Sequence, residues 1–511
     1  MLVGAVTVLG LLLRLPSFND SLFGDELATY FVVTDRSLGD IVHLLEGNSV
    51  TGDLSPPLFF MVASLTDGLG GHAESLRLAS LIAGLAAIPL TYLLGIWTAG
   101  RAAGLVAAAI IALSPFLIYY TTEARAYGLT LLLVLLSTLA LLRAVETMSV
   151  WWWAAYALCS CAAIYAHYTP VYLLAGQFLW AFFARPGARL PLVVSNIAVA
   201  IAYLPWVPTL LENTDSPGSK VIGFLTPFNL ANVRIELGRW GLGHPYIPLR
   251  DLPGWIGIGL FLTGIACGVA GLVLAAYRRP PGVHVPRPPA TIVLIAILAL
   301  ATPVGLILSS LIGDSVWNSR NLTSSWPGMA VAIGAVVTAS TGALRLAAVG
   351  LVLAAFAIGA VKMLDSDNQR PSYDEAAAYI ERNAQPGDPI VESPNPTPGP
   401  LTPVMDVALA DIGAAKPHPK LRLGYPELAA KLRAPPYAPL PIATTDAVAS
   451  RAAELGRGRA LYFVVAGPAD VRAAIRAAFR QELPPAFRRV KTAVFPGLIP
   501  VEVDVFRDTR A

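Results

Sequence analysis

The sequence predicts a polytopic α-helical membrane protein with about eleven spans and a C-terminal α/β domain outside the membrane. Three observations predict it. The 511-residue chain is 55% hydrophobic and only 14% charged, where a soluble domain carries roughly 25% charged residues. Apolar runs near the spanning length of about 20 residues recur from the first residue to about 363. Beyond that point charged residues and prolines return together. Disorder is excluded by the high hydrophobicity. A net charge of +3 is too small and scattered for a nucleic-acid partner.

The apolar runs lie at roughly 1–17, 76–97, 102–120, 126–144, 150–166, 168–184, 190–210, 254–277, 291–312, 325–340 and 344–363. The first lacks a basic leader and a small-residue cleavage site, so it reads as a retained anchor. The fifth and sixth are separated only by the short link Ala166–Pro170. Arg101, Arg143, Arg185 with Arg189, then Arg278, Arg279 and Arg287, then Arg345 fall in alternate short loops. Positive loops mark the cytoplasmic face, which leaves the longer connections 18–75, 211–253 and 313–324 outside, with everything after 363. The expected division is a membrane module over 1–363 and an extracytoplasmic domain over 364–511.

In that domain, Tyr373–Asn383 reads as an amphipathic helix, Asp388–Glu392 as a short strand and Leu461–Val465 as an apolar strand. Ala469–Gln481 reads as a helix, and Val490–Val494 with Val501–Phe506 as a strand pair. A proline cluster, Pro394, Pro396, Pro398, Pro400 and Pro403, interrupts it. It holds no Gly-rich phosphate loop, and His418 stands alone. Binding or docking is its default role. Cys159, Cys161 and Cys267 sit in apolar runs without disulfide or metal spacing.

Ionisable groups at span ends are functional candidates, because charge near the apolar layer is expensive. Asp25 and Glu26 follow the first span in Gly24–Tyr30. Adjacent helix positions point in different directions, so one carboxylate can act as general base while the other orients a partner. Helix capping by Asp25 weighs about equally at this point. Asp53–Phe59 contains Pro56-Pro57, a fixed turn. Leu38–Leu45 suits an interfacial helix, and the connection 18–75 is too long to be structureless, since such loops beyond about 15 residues are uncommon.

Tyr119–Gly128 carries Glu123, Arg125 and Tyr127. A guanidinium there can take phosphate in a bidentate grip, or simply pair with Glu123. His167, followed by Tyr168, lies in the outer link; a lone histidine is more often structural than a ligand, and no second histidine is near enough in sequence for a metal site. Trp317–Thr323 carries Arg320, a second arginine on the disfavoured face. Asn321-Leu322-Thr323 matches a glycosylation acceptor by chance, so close to the membrane. Arg239, Trp240 and His244 in 211–253 are further candidates that nothing ranks. Two cations and two carboxylates on one side suit transfer of a group from a lipid phosphate.

The ordered motifs resemble the GT-C membrane glycosyltransferases, and within them the protein O-mannosyltransferase and aminoarabinose-transferase relatives (glycosyltransferase family 39-like). They are LRLP (Leu13–Pro16), GDELATY (Gly24–Tyr30), SPPLFF (Ser55–Phe60), EARAYGL (Glu123–Leu129), AHYTP (Ala166–Pro170) and SRNLTSSWP (Ser319–Pro327). They cover about residues 1–345, and the Ala-rich, Lys-poor composition looks like that of actinobacterial members. The resemblance implies inverting transfer from a polyprenyl-phosphate sugar to a glycan, lipoglycan or protein acceptor outside the cytoplasm, at the cell membrane. It implies Asp25 as base and Glu26 as the group orienting acceptor or loop. It implies Arg125, Arg320 and Tyr127 at the donor phosphate, with His167, Tyr168, Tyr30 and Pro57 lining the substrate site. Two departures stand out: Leu58-Phe59-Phe60 follows the Pro-Pro turn where aminoarabinose-transferring relatives carry a lysine, and Asn321 stands where an aromatic is common. Mannose is the first expectation and arabinofuranose the second. The sequence assigns no cofactor and leaves metal dependence open. The rival class is a lipid or sugar transporter or flippase, whose signature would be mid-span charges and broken helices.

Overall fold

The computed structural model describes residues 1–46, 54–67, 69, 73–215, 223, 226–277, 289–393, 404–423 and 445–509. The loop arginines Arg278, Arg279 and Arg287, the proline cluster of 394–403 and Asp53 lie outside the described residues.

The chain is a polytopic helical membrane protein carrying a small α/β domain. Each of the apolar runs is helical. Among the described residues, six helices are long and apolar enough to cross a membrane: Glu74–Thr98, Tyr127–Thr147, Pro186–Thr214, Arg250–Ala275, Ala290–Ile312 and Gly342–Lys362. The others are shorter, among them Leu2–Phe18, Arg101–Leu113, Val150–Ala166 and Pro170–Ala184. The run 102–120 is two helices, because Ser114 caps a new helix, Pro115–Tyr120, by accepting from the Leu117 amide. The run 190–210 breaks at the 3-10 turn Leu204–Trp206 around a proline. An apolar helix at Leu58–Asp67 lies in the first connection, where no span was expected.

The chain divides into two compact units. One comprises Met1–Phe18, Leu54–Val62 and Arg77–Leu364; the other comprises Asn19–Asp53, Ala63–Leu76 and Asp365–Ala511. Much of the first connection, assigned from sequence to the membrane module, therefore clusters with the C-terminal residues. Sequence order alone hides this, because the contacts responsible are long-range.

In the first unit, small residues let helices touch closely. A Cβ at Gly95 would stand 2.3 Å from the Gly104 Cα, so the Leu78–Thr98 and Arg101–Leu113 helices meet backbone to backbone. Polar side chains join three further helices: Ser137 lies 2.9 Å from Ser160 and 3.1 Å from Gln177, which donates to Thr138 at 2.8 Å. Arg14, fully buried in the first helix, is wholly used in packing. Its Nε donates to the Thr121 hydroxyl at 2.8 Å, and its Nη atoms donate to the carbonyls of Gly10, Ala112 and Ile111.

Among its described residues, the second unit has a five-stranded sheet in the order β2-β1-β3-β5-β4. The strands are β1 Ile390–Glu392, β2 Lys420–Arg422, β3 Ala460–Ala466, β4 Phe487–Phe495 and β5 Val501–Asp508. β1 runs parallel to β2 and β3, while β5 runs antiparallel to β3 and β4. Helices Thr445–Leu455 and Ala469–Glu482 supply Val448, Ala452, Ile475 and Phe479 to a core with Leu461, Phe463 and Phe506. The Phe463 and Phe479 rings stack with centres 4.4 Å apart. The expected helices and strands are present. β2 and the helices Val404–Asp411 and Thr445–Leu455 are additional; a three-residue Lys-Leu-Arg strand carries no alternation to read.

Candidate functional site

In the first unit four of the motifs meet. Thr121–Ala126 turns between the Pro115–Tyr120 and Tyr127–Thr147 helices, held by Thr122 donating to the Ile118 carbonyl. The turn cannot move away from the Leu78–Thr98 helix. Ser80 donates to the Arg125 carbonyl at 2.9 Å, and a Cβ at Gly128 would stand 2.8 Å from the Ser80 carbonyl oxygen. Arg125, 8% exposed, donates to the Ser55 hydroxyl at 3.0 Å and faces the Phe60 ring at 5.7 Å. SPPLFF and EARAYGL are thus one structural feature. Buried Pro57 provides its turn, and the Pro57 carbonyl accepts the Met61 amide as the Leu58–Asp67 helix begins.

Tyr127 packs edge-on to Tyr120 at 4.7 Å and lies 5.6 Å from the His167 ring. His167 ends the Val150–Ala166 helix, and its Nδ1 takes the Thr169 amide at 3.3 Å and lies 2.9 Å from the Thr169 hydroxyl. The Tyr168 hydroxyl accepts from Trp206 Nε1 at 3.2 Å and Asn213 Nδ2 at 3.3 Å. Asn213 also donates to the Leu54 carbonyl, which ties AHYTP to the Pro-Pro turn.

Arg320 sits in the 3-10 turn Ser319–Ser325, where Asn318 accepts its backbone amide. Glu236, buried in the Leu230–Gly241 helix, accepts the Ser319 amide at 2.8 Å and pairs with Arg239 at 2.7 Å. Arg320, Glu123, Tyr127 and Tyr246 all act electrostatically on the Tyr120 hydroxyl. Tyr119, beside it, packs against His244 at 5.0 Å and Tyr246 at 5.3 Å. Asn321 is buried and donates to the Val316 carbonyl at 2.7 Å, which removes it as a glycosylation acceptor.

GDELATY lies in the second unit. Gly24, with φ of +59°, is the cap residue of the Asp25–Val33 helix, so Asp25 is its first residue and not its cap. Asp25 is partly exposed, whereas Glu26 is fully buried. Glu26 accepts the Phe23 amide at 3.2 Å and forms an ion pair with Arg370 at 3.3 Å. The two carboxylates therefore stand in different environments, one partly exposed and one buried in an ion pair. Tyr30 is partly exposed; partial burial, with Asp67, Asp35 and Asp411 nearby, pushes its hydroxyl above the usual tyrosine range. Among the described residues, no three or more His, Cys, Asp or Glu side chains cluster to hold a metal ion.

The structure thus gathers Arg125, Tyr127, His167, Tyr168, Pro57 and Arg320 in one unit, and Asp25, Glu26 and Tyr30 in the other. Sequence reasoning did not single out Ser55, Asn213, Tyr246, Glu236 or Arg370. Only Ser55, inside a motif, carried any signal.

Residues 54–210, under a third of the chain, match the family described as dolichyl-phosphate-mannose-protein mannosyltransferase. The matched segment contains SPPLFF, EARAYGL and AHYTP, and it bears out the resemblance to GT-C membrane glycosyltransferases. No curated protein matches the chain. Among solved structures, the chain is similar to ArnT from Cupriavidus metallidurans bound to undecaprenyl phosphate, at 14% identity over 98% of this chain and 97% of that one, with a TM-score of 0.44. It is also similar to the Archaeoglobus fulgidus oligosaccharyltransferase tethered to an acceptor peptide, at 14% identity over 91% of this chain and 68% of that one, with a TM-score of 0.48. The oligosaccharyltransferase AglB from Archaeoglobus fulgidus, in complex with an inhibitory peptide and a dolichol phosphate, matches at 12% identity over 82% of this chain and 64% of that one, with a TM-score of 0.45.

Proposed function

We propose that this chain is an inverting glycosyltransferase that moves a sugar, mannose first, from a polyprenyl-phosphate donor to an acceptor hydroxyl outside the cytoplasm. The observation that carries the reading is the placement of Arg125 and Tyr127 on the segment that matches a mannosyltransferase family, with Arg320 and Tyr127 both acting on the Tyr120 hydroxyl. Arg125 and Arg320 hold the donor phosphate, and Tyr127, His167 and Tyr168 wall the sugar. Fixed cations stabilise negative charge as it develops on the leaving phosphate. The acceptor oxygen attacks the anomeric carbon from the face opposite the phosphate. The new C–O bond forms as the old one breaks, the polyprenyl phosphate leaves with the bonding pair, and Asp25 takes the hydroxyl proton. Inversion follows from the single displacement.

In this reading the membrane module is the donor site and the C-terminal domain lies outside the cell membrane. Arabinofuranose is the second donor. The test is to incubate the purified protein with a panel of polyprenyl-phosphate sugars and to weigh the products. Turnover of polyprenyl-phosphate mannose, lost in Asp25→Asn at unchanged expression, supports the proposal. Wild-type turnover in Asp25→Asn removes Asp25 as base, and failure with every donor removes the transferase reading.

A further inference from the structure

Asp25 sits at the start of a nine-residue helix whose cap, Gly24, has no side chain to satisfy the first-turn amides. Such a short helix is marginal without outside support. The support comes from residues 369–374, which follow the last membrane helix. The Glu26 carboxylate, fully buried, pairs with the equally buried Arg370 guanidinium at 3.3 Å. The Arg370 amide donates to the Asp20 carboxylate at 3.2 Å, and the Asp374 amide donates to the Ser21 hydroxyl at 2.8 Å. Residues 20–26 are therefore fastened at three points to one short stretch of chain.

That stretch is in turn fixed by the turn between β4 and β5. The Leu498 amide donates to the Gln369 carbonyl at 2.7 Å, and the Ser372 hydroxyl donates to the Pro496 carbonyl at 2.9 Å. Gly497 packs so closely that a Cβ there would stand 2.8 Å from both the Arg370 carbonyl oxygen and the Pro371 Cα, and its φ of +145° also suits glycine alone. A chain of contacts thus runs from the β4–β5 turn through Arg370 and Glu26 to the first turn of the Asp25 helix.

We infer that Arg370 is a positioning residue for the Asp25 carboxylate, and that the C-terminal domain takes part in the reaction by holding the Asp25 helix through Arg370. This rests on Asp25 being the proton acceptor. Glu26 then neither binds substrate nor takes a proton. It is the lever by which Arg370 sets the helix start. A misplaced base loses rate without losing donor affinity, since donor-phosphate contacts belong to other residues.

The experiment uses the full-length protein with polyprenyl-phosphate mannose as donor, and combines kinetics with hydrogen exchange. Arg370→Met should lower kcat by about 100-fold, the scale of a small misplacement of a catalytic group, with donor KM unchanged. Exchange should speed up over Gly24–Tyr30 while β3 stays protected, which shows that the domain is still folded. Arg370→Lys should restore part of kcat. Gly497→Ala keeps every charge but displaces the Arg370 backbone, and should change kcat and exchange in the same direction. Wild-type kcat in Arg370→Met beside an inactive Asp25→Asn overturns the inference, as does unchanged exchange over Gly24–Tyr30. Full activity in Asp25→Asn is a different result, because it fails the reading of Asp25 on which the inference stands.

Discussion

The Arg125 guanidinium donates to the Ser55 hydroxyl at 3.0 Å, so the Pro-Pro turn and the arginine motif, far apart in sequence, share one hydrogen bond. Arg125→Met should weaken binding of a polyprenyl-phosphate donor by roughly 10- to 150-fold, the equivalent of one charge-assisted contact. Ser55→Ala removes only the bond that positions the guanidinium, and should weaken it by roughly two- to tenfold. Titration of each purified variant with polyprenyl phosphate checks both, and the order of the two effects is the stricter test.

Glu236 predicts how the second arginine is held. It accepts the Ser319 amide and pairs with Arg239, and so fixes the turn that carries Arg320. Glu236→Leu removes both interactions and should raise donor KM more than Glu236→Gln, which keeps an acceptor for the amide. Equal KM values in the two variants would show that the turn holds without Glu236.

Arg14 predicts a stability effect. Its guanidinium ties the first helix to Ile111, Ala112 and Thr121. Arg14→Met leaves buried acceptors without donors, and should lower stability by roughly 3 kcal/mol, the scale of a hydrogen bond to a charged group with its orphaned partner. Thermal unfolding in detergent measures it.

The C-terminal domain carries its own pH dependence. Burial raises Glu392 from an ordinary carboxylate value of 4.5 to about 6, against the Val404 and Met405 amides and Arg422 that favour its charged form. The folded state binds this proton more tightly than the unfolded state, so the stabilisation is full below about pH 4.5 and is lost as pH rises through about 6. The change is on the order of 2 kcal/mol. Glu392→Gln should flatten unfolding curves of the full-length protein across that window, as followed by domain-specific hydrogen exchange at β3.

What was legible in the sequence follows from the physics of each feature. Membrane helices declare themselves by sustained hydropathy, so the apolar runs from Leu2 to Lys362 were readable. Strands such as Leu461–Val465 were readable by the same apolar signal. The two breaks, at Ser114-Pro115 and at Pro205, were marked by prolines inside the runs. Arg370 was invisible: it is one arginine among many in a charged stretch, and only a partner 350 residues away in sequence, at Asp20, shows what its position does. Glu236 and Asn213 were hidden for the same reason, since each acts through backbone groups that carry no sequence signature.

The second unit is assembled from Asn19–Asp53, Ala63–Leu76 and Asp365–Ala511. During synthesis the first two pieces emerge long before the third, with every membrane helix except Leu2–Phe18 between them and it. Loop closure over such a separation is slow and comes late. The Asp25 helix therefore waits, incompletely supported, until the final segment has been made and folded. In the proposed mechanism, a chain interrupted between Arg320 and Arg370 would carry both proposed donor-phosphate arginines and no fixed base, so such a half-made copy would bind donor lipid without consuming it.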